Sequence, residues 1–418
     1  MARFHTIFFA LLVAAVSVAA PLAPDEKPIA NPQGLDAMGR DIRQFGEDVA
    51  QRIDRIVKKK TFELLGDPWT MQGIPILIPI AASGFNVGLR IQMQNIVRQD
   101  PHEMELIAQV LTSDRGRQKH QISVDFPWAF GNRFRVGARL AYDRDIALRY
   151  FGVGNDTPFD LARYRAGDYD IVRGGPSFQF SIMRHFSRHF RAGPTFALKH
   201  TAVESLPGSV LATQAPLGIA GGRTHTLGLA IIYDTLDFEP YPSRGDYHEL
   251  FFSLSNGAVT GSDYDFTRTT YTFRKFVSLN RRLIFAHRTL LEWLNGNVPF
   301  YELSDVGGSF GSIGFGGDRY FRGYEPNRFI DKLRLVAGFE LRWDPIFAEL
   351  FRQELTVGFV PFFEIGRVWD GLPRSFDNWH ASVGWGVRMI WNSRLVLRVD
   401  TALTPEGLNI VGNIGNAF

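Results

Sequence analysis

KLRLVAGFELRWD, residues Lys332 to Asp344, alternates along its whole length. Leu333, Leu335, Ala337, Phe339, Leu341 and Trp343 fall on one parity, and Arg334, Val336, Gly338, Glu340 and Arg342 on the other. A period of two is the mark of a strand with two unlike faces. The next stretch repeats it: Leu355, Val357, Phe359, Pro361, Phe363 and Ile365 alternate with Glu354, Thr356, Gly358, Val360, Phe362, Glu364 and Gly366. Between Arg133 and Tyr142, Phe134, Val136, Ala138, Leu140 and Tyr142 do the same against Arg133, Arg135, Gly137, Arg139 and Ala141. A soluble sandwich alternates too, but turns its apolar face inward. Here Arg and Glu recur at matched depth in several strands, which costs little only in a hydrated lumen. Each run has the length of about ten residues that a tilted membrane strand needs. The predicted fold is all-β: a transmembrane antiparallel β-barrel of about 16 strands with a short N-terminal periplasmic helix. Closure satisfies every backbone group in lipid and leaves no edge. Arg334, Glu340 and Arg342 then face the lumen.

The N-terminus agrees with an exported protein. MARFHTIFFALLVAAVSVAA, residues 1–20, has Arg3 in a short head, an apolar run from Ile7 to Val18, and small residues at Ser17, Ala19 and Ala20. This is the layout of a signal peptide, with cleavage after Ala19 or Ala20, and the run is short for a membrane span. Residues 21–72 read as a linker and an amphipathic helix. PLAPDEKPIANPQ is proline-rich, and Leu35, Met38, Ile42, Phe45, Val49, Ile53 and Ile56 place one apolar face on a helix from Gly34 to about Phe62. The barrel is expected to occupy residues 73–418. No later stretch is long and apolar enough for a membrane helix, so spans must come from strands.

Composition excludes several function classes. The 418 residues contain no Cys, so neither a disulfide framework nor a thiolate metal site is possible. A formal net charge of +3, with basic residues spread out, is no nucleic-acid footprint. The 41 Gly and 36 Phe suit many strands, turns and interfacial aromatics. GSFGSIGFGGDRYFRG, Gly308 to Gly323, nearly matches a dinucleotide fingerprint, but a loop and an alternating strand follow it where that motif requires a helix. Neither a P-loop nor an H-E-x-x-H motif occurs, and the ten His are scattered. The acidic pairs Asp234/Asp237 and Asp143/Asp145 read as turn and strand-end residues. No catalytic residue, metal site or cofactor is expected.

Strand starts are predicted near residues 74, 85, 103, 117, 132, 170, 187, 221, 245, 264, 281, 331, 353, 378, 394 and 408. An even count puts both barrel ends on the periplasmic side. The connections around FPWAFGN, RHFSRH and SLNRR are then periplasmic turns, and Asp143–Tyr169 and Asn295–Phe329 are long segments outside or folded back. The second is the sixth outer loop, and its length invites entry into the lumen. Gly323 permits close backbone approach. Arg322 then needs an acceptor, and Glu364, lumenal on the thirteenth strand, can form a bidentate pair with it. Phe418 ends the last strand.

GGDRYFRGYEPNRF (Gly316 to Phe329), RLVAGFELRW (Arg334 to Trp343) and PFFEIGRVWD (Pro361 to Asp370) resemble successive landmarks of the BamA/TamA-type surface-antigen superfamily. LAIIYDTLDFEPYPSRGDYHELFFSLS, Leu229 to Ser255, is similar to the family's central hairpin, and RYFGVGNDTP, Arg149 to Pro158, to a loop of its shorter members. The resemblance extends from about residue 70 to the end. It implies an outer-membrane barrel that inserts or translocates proteins or lipids, with a lumen-inserted sixth loop. The family's loop tip maps onto Arg322, Gly323 and Tyr324, and its acidic strand motif onto Glu364 and Gly366. Phe321 stands where the family usually has an aliphatic residue, and Glu364 where Asp is usual. Phe418 resembles the terminal signal read by barrel-assembly machinery. Implied partners are that machinery during biogenesis, outer-membrane lipid, and a polypeptide or lipid substrate. Residues 21–72 are too few for one of the family's POTRA modules, so a member without them is implied. A passive pore for small solutes, or a structural or surface-binding role, is the alternative.

Overall fold

The computed structural model describes residues 60–64, 67–80, 84–95, 104–239, 241–309, 313–314, 320–350, 353–391, 395–415 and 417. The signal peptide, the linker, residues 34–59 of the expected helix, and Phe418 lie outside them.

The strands in chain order are β1 (Lys60–Leu64), β2 (Asp67–Ile80), β3 (Gly84–Asn95), β4 (Met104–Ser113), β5 (Gln118–Trp128), β6 (Phe134–Arg149), β7 (Asp170–His185), β8 (Phe190–Ser205), β9 (Gly222–Arg223) and β10 (Thr226–Asp234). There follow β11 (Gly245–Ser255), β12 (Phe266–Asn280), β13 (Leu283–Gly296), β14 (Asp305–Val306), β15 (Ile313–Gly314), β16 (Leu333–Leu350), β17 (Gln353–Trp369), β18 (His380–Trp391), β19 (Leu395–Thr404) and β20 (Gly407–Ile414). Sixteen are long barrel strands: β2 to β8, β10 to β13 and β16 to β20. Each pairs antiparallel with the next in an up-and-down order. Two short strands complete the 18-stranded sheet: β1 pairs with β2, and β9 with β8. A separate ribbon of β14 and β15 lies within the sixth outer loop.

The burial pattern is the inverse of a soluble sandwich. On β16, Leu341 and Trp343 are 38% and 50% exposed, while Arg334, Glu340 and Arg342 between and beside them are at most 2% exposed. Apolar side chains point outward and charged ones inward, as lipid outside a polar lumen requires. Contacts across the inner face show that the sheet curls round on itself. In the turn between β10 and β11, Glu239 accepts from Arg135 of β6 at 2.7 Å, while Tyr241 donates to Asp344 of β16 at 3.1 Å. The architecture is a transmembrane antiparallel β-barrel.

Two boundaries differ from the sequence reading. The first barrel strand begins at Asp67, not near residue 73, and Lys60–Phe62, assigned to the helix end, belong to β1. Alternation already starts there: KTFEL folds back on DPWTM, with Lys60 opposite Met71 and Phe62 opposite Trp69. The other difference is at Asp143, where a loop was expected. Strand β6 continues to Arg149 after a register shift between Asp145 and Leu148. A bulge of this kind breaks the period of two and hides the continuation.

Candidate functional site

Residues 297–332 connect β13 to β16, and the buried charges among their described residues define the site. Arg322 is fully buried. Its Nε and Nη2 donate to Glu364 Oε1 at 3.2 and 3.1 Å, and its backbone N–H donates to Glu364 Oε2 at 2.5 Å. Both carboxylate oxygens are thus engaged by one residue. Arg322 Nη1 donates to Glu340 Oε1 at 2.7 Å and lies 3.5 Å from Asp400 Oδ2. The guanidinium packs on the Phe362 ring, 3.7 Å from its centroid.

The rest of this network is equally dry. Arg342 Nε donates to Glu340 Oε2 at 2.9 Å, and Arg388 Nη2 lies 3.5 Å from Glu340 Oε1. Arg388 Nη1 donates to Asp400 Oδ1 at 2.5 Å, and Arg398 donates to Asp400 Oδ2. Arg288 Nη2 donates to Glu364 at 3.4 Å. Five guanidiniums, those of Arg288, Arg322, Arg342, Arg388 and Arg398, therefore surround three carboxylates, Glu340, Glu364 and Asp400.

Local backbone chemistry makes the close approach possible. Gly323 has φ +97°, and a Cβ there would sit 2.8 Å from Ala402 Cβ and Thr404 Cγ2. Gly366 leaves room where a Cβ would meet Val336 Cγ2 at 2.8 Å and Phe321 Cε1 at 3.4 Å. Phe321, Tyr324 and Phe329 bury together against Leu290, Val306, Val336 and Val368. Tyr324 Oη donates to the Ala381 carbonyl at 3.2 Å. The aromatic at position 321, unlike the aliphatic usual in the family, thus fills an apolar nook beside Gly366.

A second cluster holds the loop's first arm. The short helix Phe300–Ser304 brings Glu302 inward, and Asp305 follows it. Lys199 Nζ lies 3.0 Å from Glu302 Oε1 and 2.6 Å from Asp305 Oδ2. Arg173 reaches Asp305 at 2.9 Å, and Arg268 reaches Glu302 at 2.7 Å. Glu292 accepts from the Gly307 backbone N–H at 2.7 Å and pairs with Arg334 at 2.9 Å. Arg334 therefore faces the lumen as the alternation predicts, but serves this arm, whereas Glu340 and Arg342 serve the tip.

A third anchor lies where the loop leaves. Arg328 Nε donates to Glu406 at 2.6 Å, and its other nitrogens donate to Thr157 Oγ1 and the Thr157 carbonyl at 2.6 and 2.7 Å. Glu325 accepts from Arg149 at 2.6 Å and from Tyr164 Oη at 2.8 Å. The Gly154 N–H donates to the Ile330 carbonyl at 2.9 Å, and His380 stacks on Phe329 at 3.8 Å. RYFGVGNDTP is thus the outer clamp on the loop's second arm.

The structure brings Arg322, Gly323, Tyr324, Glu364 and Gly366 together. Sequence reading missed Arg288, Arg388, Arg398 and Asp400 at the tip, and Lys199, Arg173, Arg268, Glu292, Glu302 and Asp305 at the first arm. For the strand residues a signal existed: Arg398 and Asp400 share one parity of an otherwise apolar strand. Glu302 and Asp305 lie in a loop without periodicity, and nothing marked them.

The model of the Omp85 superfamily domain matches residues 105–407. The chain belongs to the Omp85 superfamily. Among solved structures, BamA from Haemophilus ducreyi lacking POTRA domains 1-3 is 14% identical, with a TM-score of 0.51 over 89% of this chain and 79% of that one. CdiB from Escherichia coli is 11% identical, with a TM-score of 0.54 over 90% of this chain and 70% of that one. At such identities the likeness is one of fold. No curated protein sequence matches the chain. This Omp85 barrel is an outer-membrane protein of an insertion and translocation family. Members of that family work with barrel-assembly machinery and move polypeptides.

Proposed function

We propose that this Omp85 barrel inserts or translocates proteins or lipids at the outer membrane, with the sixth loop as a seated plug locked by Arg322 and Glu364. The observation that carries this reading is the dry ion-pair network at the loop tip, where Arg322 and Glu364 are both fully buried. A channel for free diffusion has no use for a loop packed into its lumen at such desolvation cost. A barrel that opens on demand does. Barrel-assembly machinery serves the protein's own biogenesis, and outer-membrane lipid is its solvent. Residues 1–20 serve as the export signal. The polypeptide or lipid handled comes to the barrel wall. No residue is assigned a catalytic role.

Planar-bilayer conductance tests the proposal. The purified barrel should show a low, flickering conductance that rises in Arg322→Ala. A large steady conductance in the unaltered protein would instead establish the passive pore. Depletion in the parent bacterium should lower the level of at least one outer-membrane protein or lipid species. An unchanged outer-membrane composition would refute the insertion role.

A further inference from the structure

The outer wall carries a cation that no other part of the chain satisfies. β16 leaves the sixth outer loop and β17 returns to the same end of the barrel, so Arg367 and Trp369, at the close of β17, lie at its outer end. Val368 between them packs inward with Phe321 and Phe329, which turns Arg367 and Trp369 to the lipid side. Across the ladder Trp369 stands opposite Leu333, and Leu333 opposite Trp293 of β13. Tryptophans at one level on a barrel wall mark the membrane interface. Arg367 sits two residues, about 7 Å along the strand, to the membrane side of that level.

At such a depth an arginine ordinarily extends its head among water and lipid headgroups. Arg367 is instead only 8% exposed. Its guanidinium lies 5.4 Å from the Trp369 ring centroid, and its Nε and Nη1 are enclosed without an acceptor. Among the described residues it has no hydrogen-bond or ion-pair partner; Asp370 and Asp377 nearby in the chain are exposed and do not reach it. Enclosing a charge in this way is costly unless an anion joins it. Residues 370–379, which connect β17 to β18, complete the surroundings. Trp369 Nε1 donates to the Ser375 carbonyl at 2.8 Å, and Phe376 and Trp379 stand edge-on to the Trp369 ring at 6.0 and 5.8 Å between centroids. Trp369 is buried by them, while Trp379 and Phe376 remain 36% and 63% exposed.

We propose that Arg367, Trp369, Trp379 and Phe376 form a headgroup site for a phosphorylated glycolipid of the outer leaflet. The phosphate supplies the acceptor that the guanidinium lacks, and its oxygens match the guanidinium fork. The exposed rings of Trp379 and Phe376 offer apolar faces to the carbons of the sugar. The acyl chains run down the wall over Leu335, opposite Arg367, and Ile365. A lipid is the occupant because the site opens on the lipid-facing wall, away from the lumen. The site is separate from the Arg322 lock and stands whatever the barrel moves.

Native mass spectrometry of the full-length barrel, released from an uncharged detergent, tests this. The probes are lipid A, which carries phosphates on a glucosamine disaccharide, the same lipid stripped of phosphate, phosphatidylglycerol, and inorganic phosphate. The parent protein should retain lipid A at least about tenfold more tightly than the dephosphorylated form, the effect of one charge-assisted contact. Arg367→Gln should abolish that difference, and Arg367→Lys, which keeps the charge without the fork, should restore part of it. Fast gel mobility before heating checks that each variant is folded. If Arg367→Gln fails to fold, the comparison of the two lipids on the unaltered protein decides alone. Equal retention of the two lipids, or a difference undiminished in folded Arg367→Gln, overturns the proposal. Phosphatidylglycerol or inorganic phosphate bound as tightly as lipid A would also overturn it, the first by reassigning the site to a phospholipid and the second to a free anion.

Discussion

Arg322→Ala and Glu364→Gln probe the same contact from its two sides, and the network makes their costs unequal. Removing the guanidinium leaves no acid alone. Glu364 keeps Arg288 at 3.4 Å and the backbone N–H of residue 322 at 2.5 Å. Glu340 keeps Arg342 at 2.9 Å, and Asp400 keeps Arg388 at 2.5 Å. The loss also relieves repulsion among the four guanidiniums that remain there, those of Arg288, Arg342, Arg388 and Arg398. Breaking a buried pair costs about 3–5 kcal/mol, and this relief puts Arg322→Ala at the lower end, about 3 kcal/mol. Neutralising Glu364 instead removes the negative charge between Arg288 and Arg322 and leaves Arg322 Nε and Nη2 against an amide. Glu364→Gln should therefore approach about 5 kcal/mol. The smaller figure already raises the population of the unseated loop by roughly two orders of magnitude. The assay is the temperature at which the folded barrel loses its fast gel mobility, run beside trypsin cleavage within residues 320–330. Unchanged mobility and cleavage in Arg322→Ala would refute the lock. A larger loss in Arg322→Ala than in Glu364→Gln would refute the charge argument.

Gly323→Val should destabilise the loop tip, since its φ of +97° and the 2.8 Å approach to Ala402 and Thr404 leave no place for a side chain; loop proteolysis measures it. Arg328→Ala should free the exit arm, visible as faster cleavage after Lys332, while leaving the tip protected, because its partners Glu406 and Thr157 are separate from Glu364. Asp331, in the loop just before β16, has its carboxyl pushed up to about 6, chiefly by burial and secondarily by Asp370. An acid whose folded pKa exceeds its unfolded value of about 3.9 stabilises the fold while protonated, so this contribution is present at low pH and is lost as pH rises through about 6. Asp331→Asn should flatten the pH dependence of loop protection between those limits; a slope unchanged from the parent would sink the assignment.

The strands were legible because lipid outside and charge inside impose a period of two on each one. β11 and β17 begin at Gly245 and Gln353, where the pattern put them. Legibility failed where the period breaks, at the bulge after Asp145, and where residues before Gly73 already alternate. The pairing of Arg322 with Glu364 could be anticipated because the loop's length invites entry into the lumen and the alternation of β17 turns Glu364 inward, and the family resemblance points to the same two residues. The partners Asp400 and Arg388 could not be placed. Their inward parity is readable, but their nearness to Arg322 depends on barrel curvature and on the path of a loop with no repeat.

The three anchors of the sixth loop lie in series on one continuous piece of chain, and this sets how it can move. A rigid withdrawal would have to rupture all of them together. Peeling from either end breaks them singly, and each freed length gains chain entropy before the next must give way. The exit arm is the outermost, held partly by the hairpin residue Glu406 and by the segment bearing Arg149 and Thr157. Force or binding applied at the cell surface would therefore work like a tab on a zip, with the Arg322 junction as the last tooth on that side.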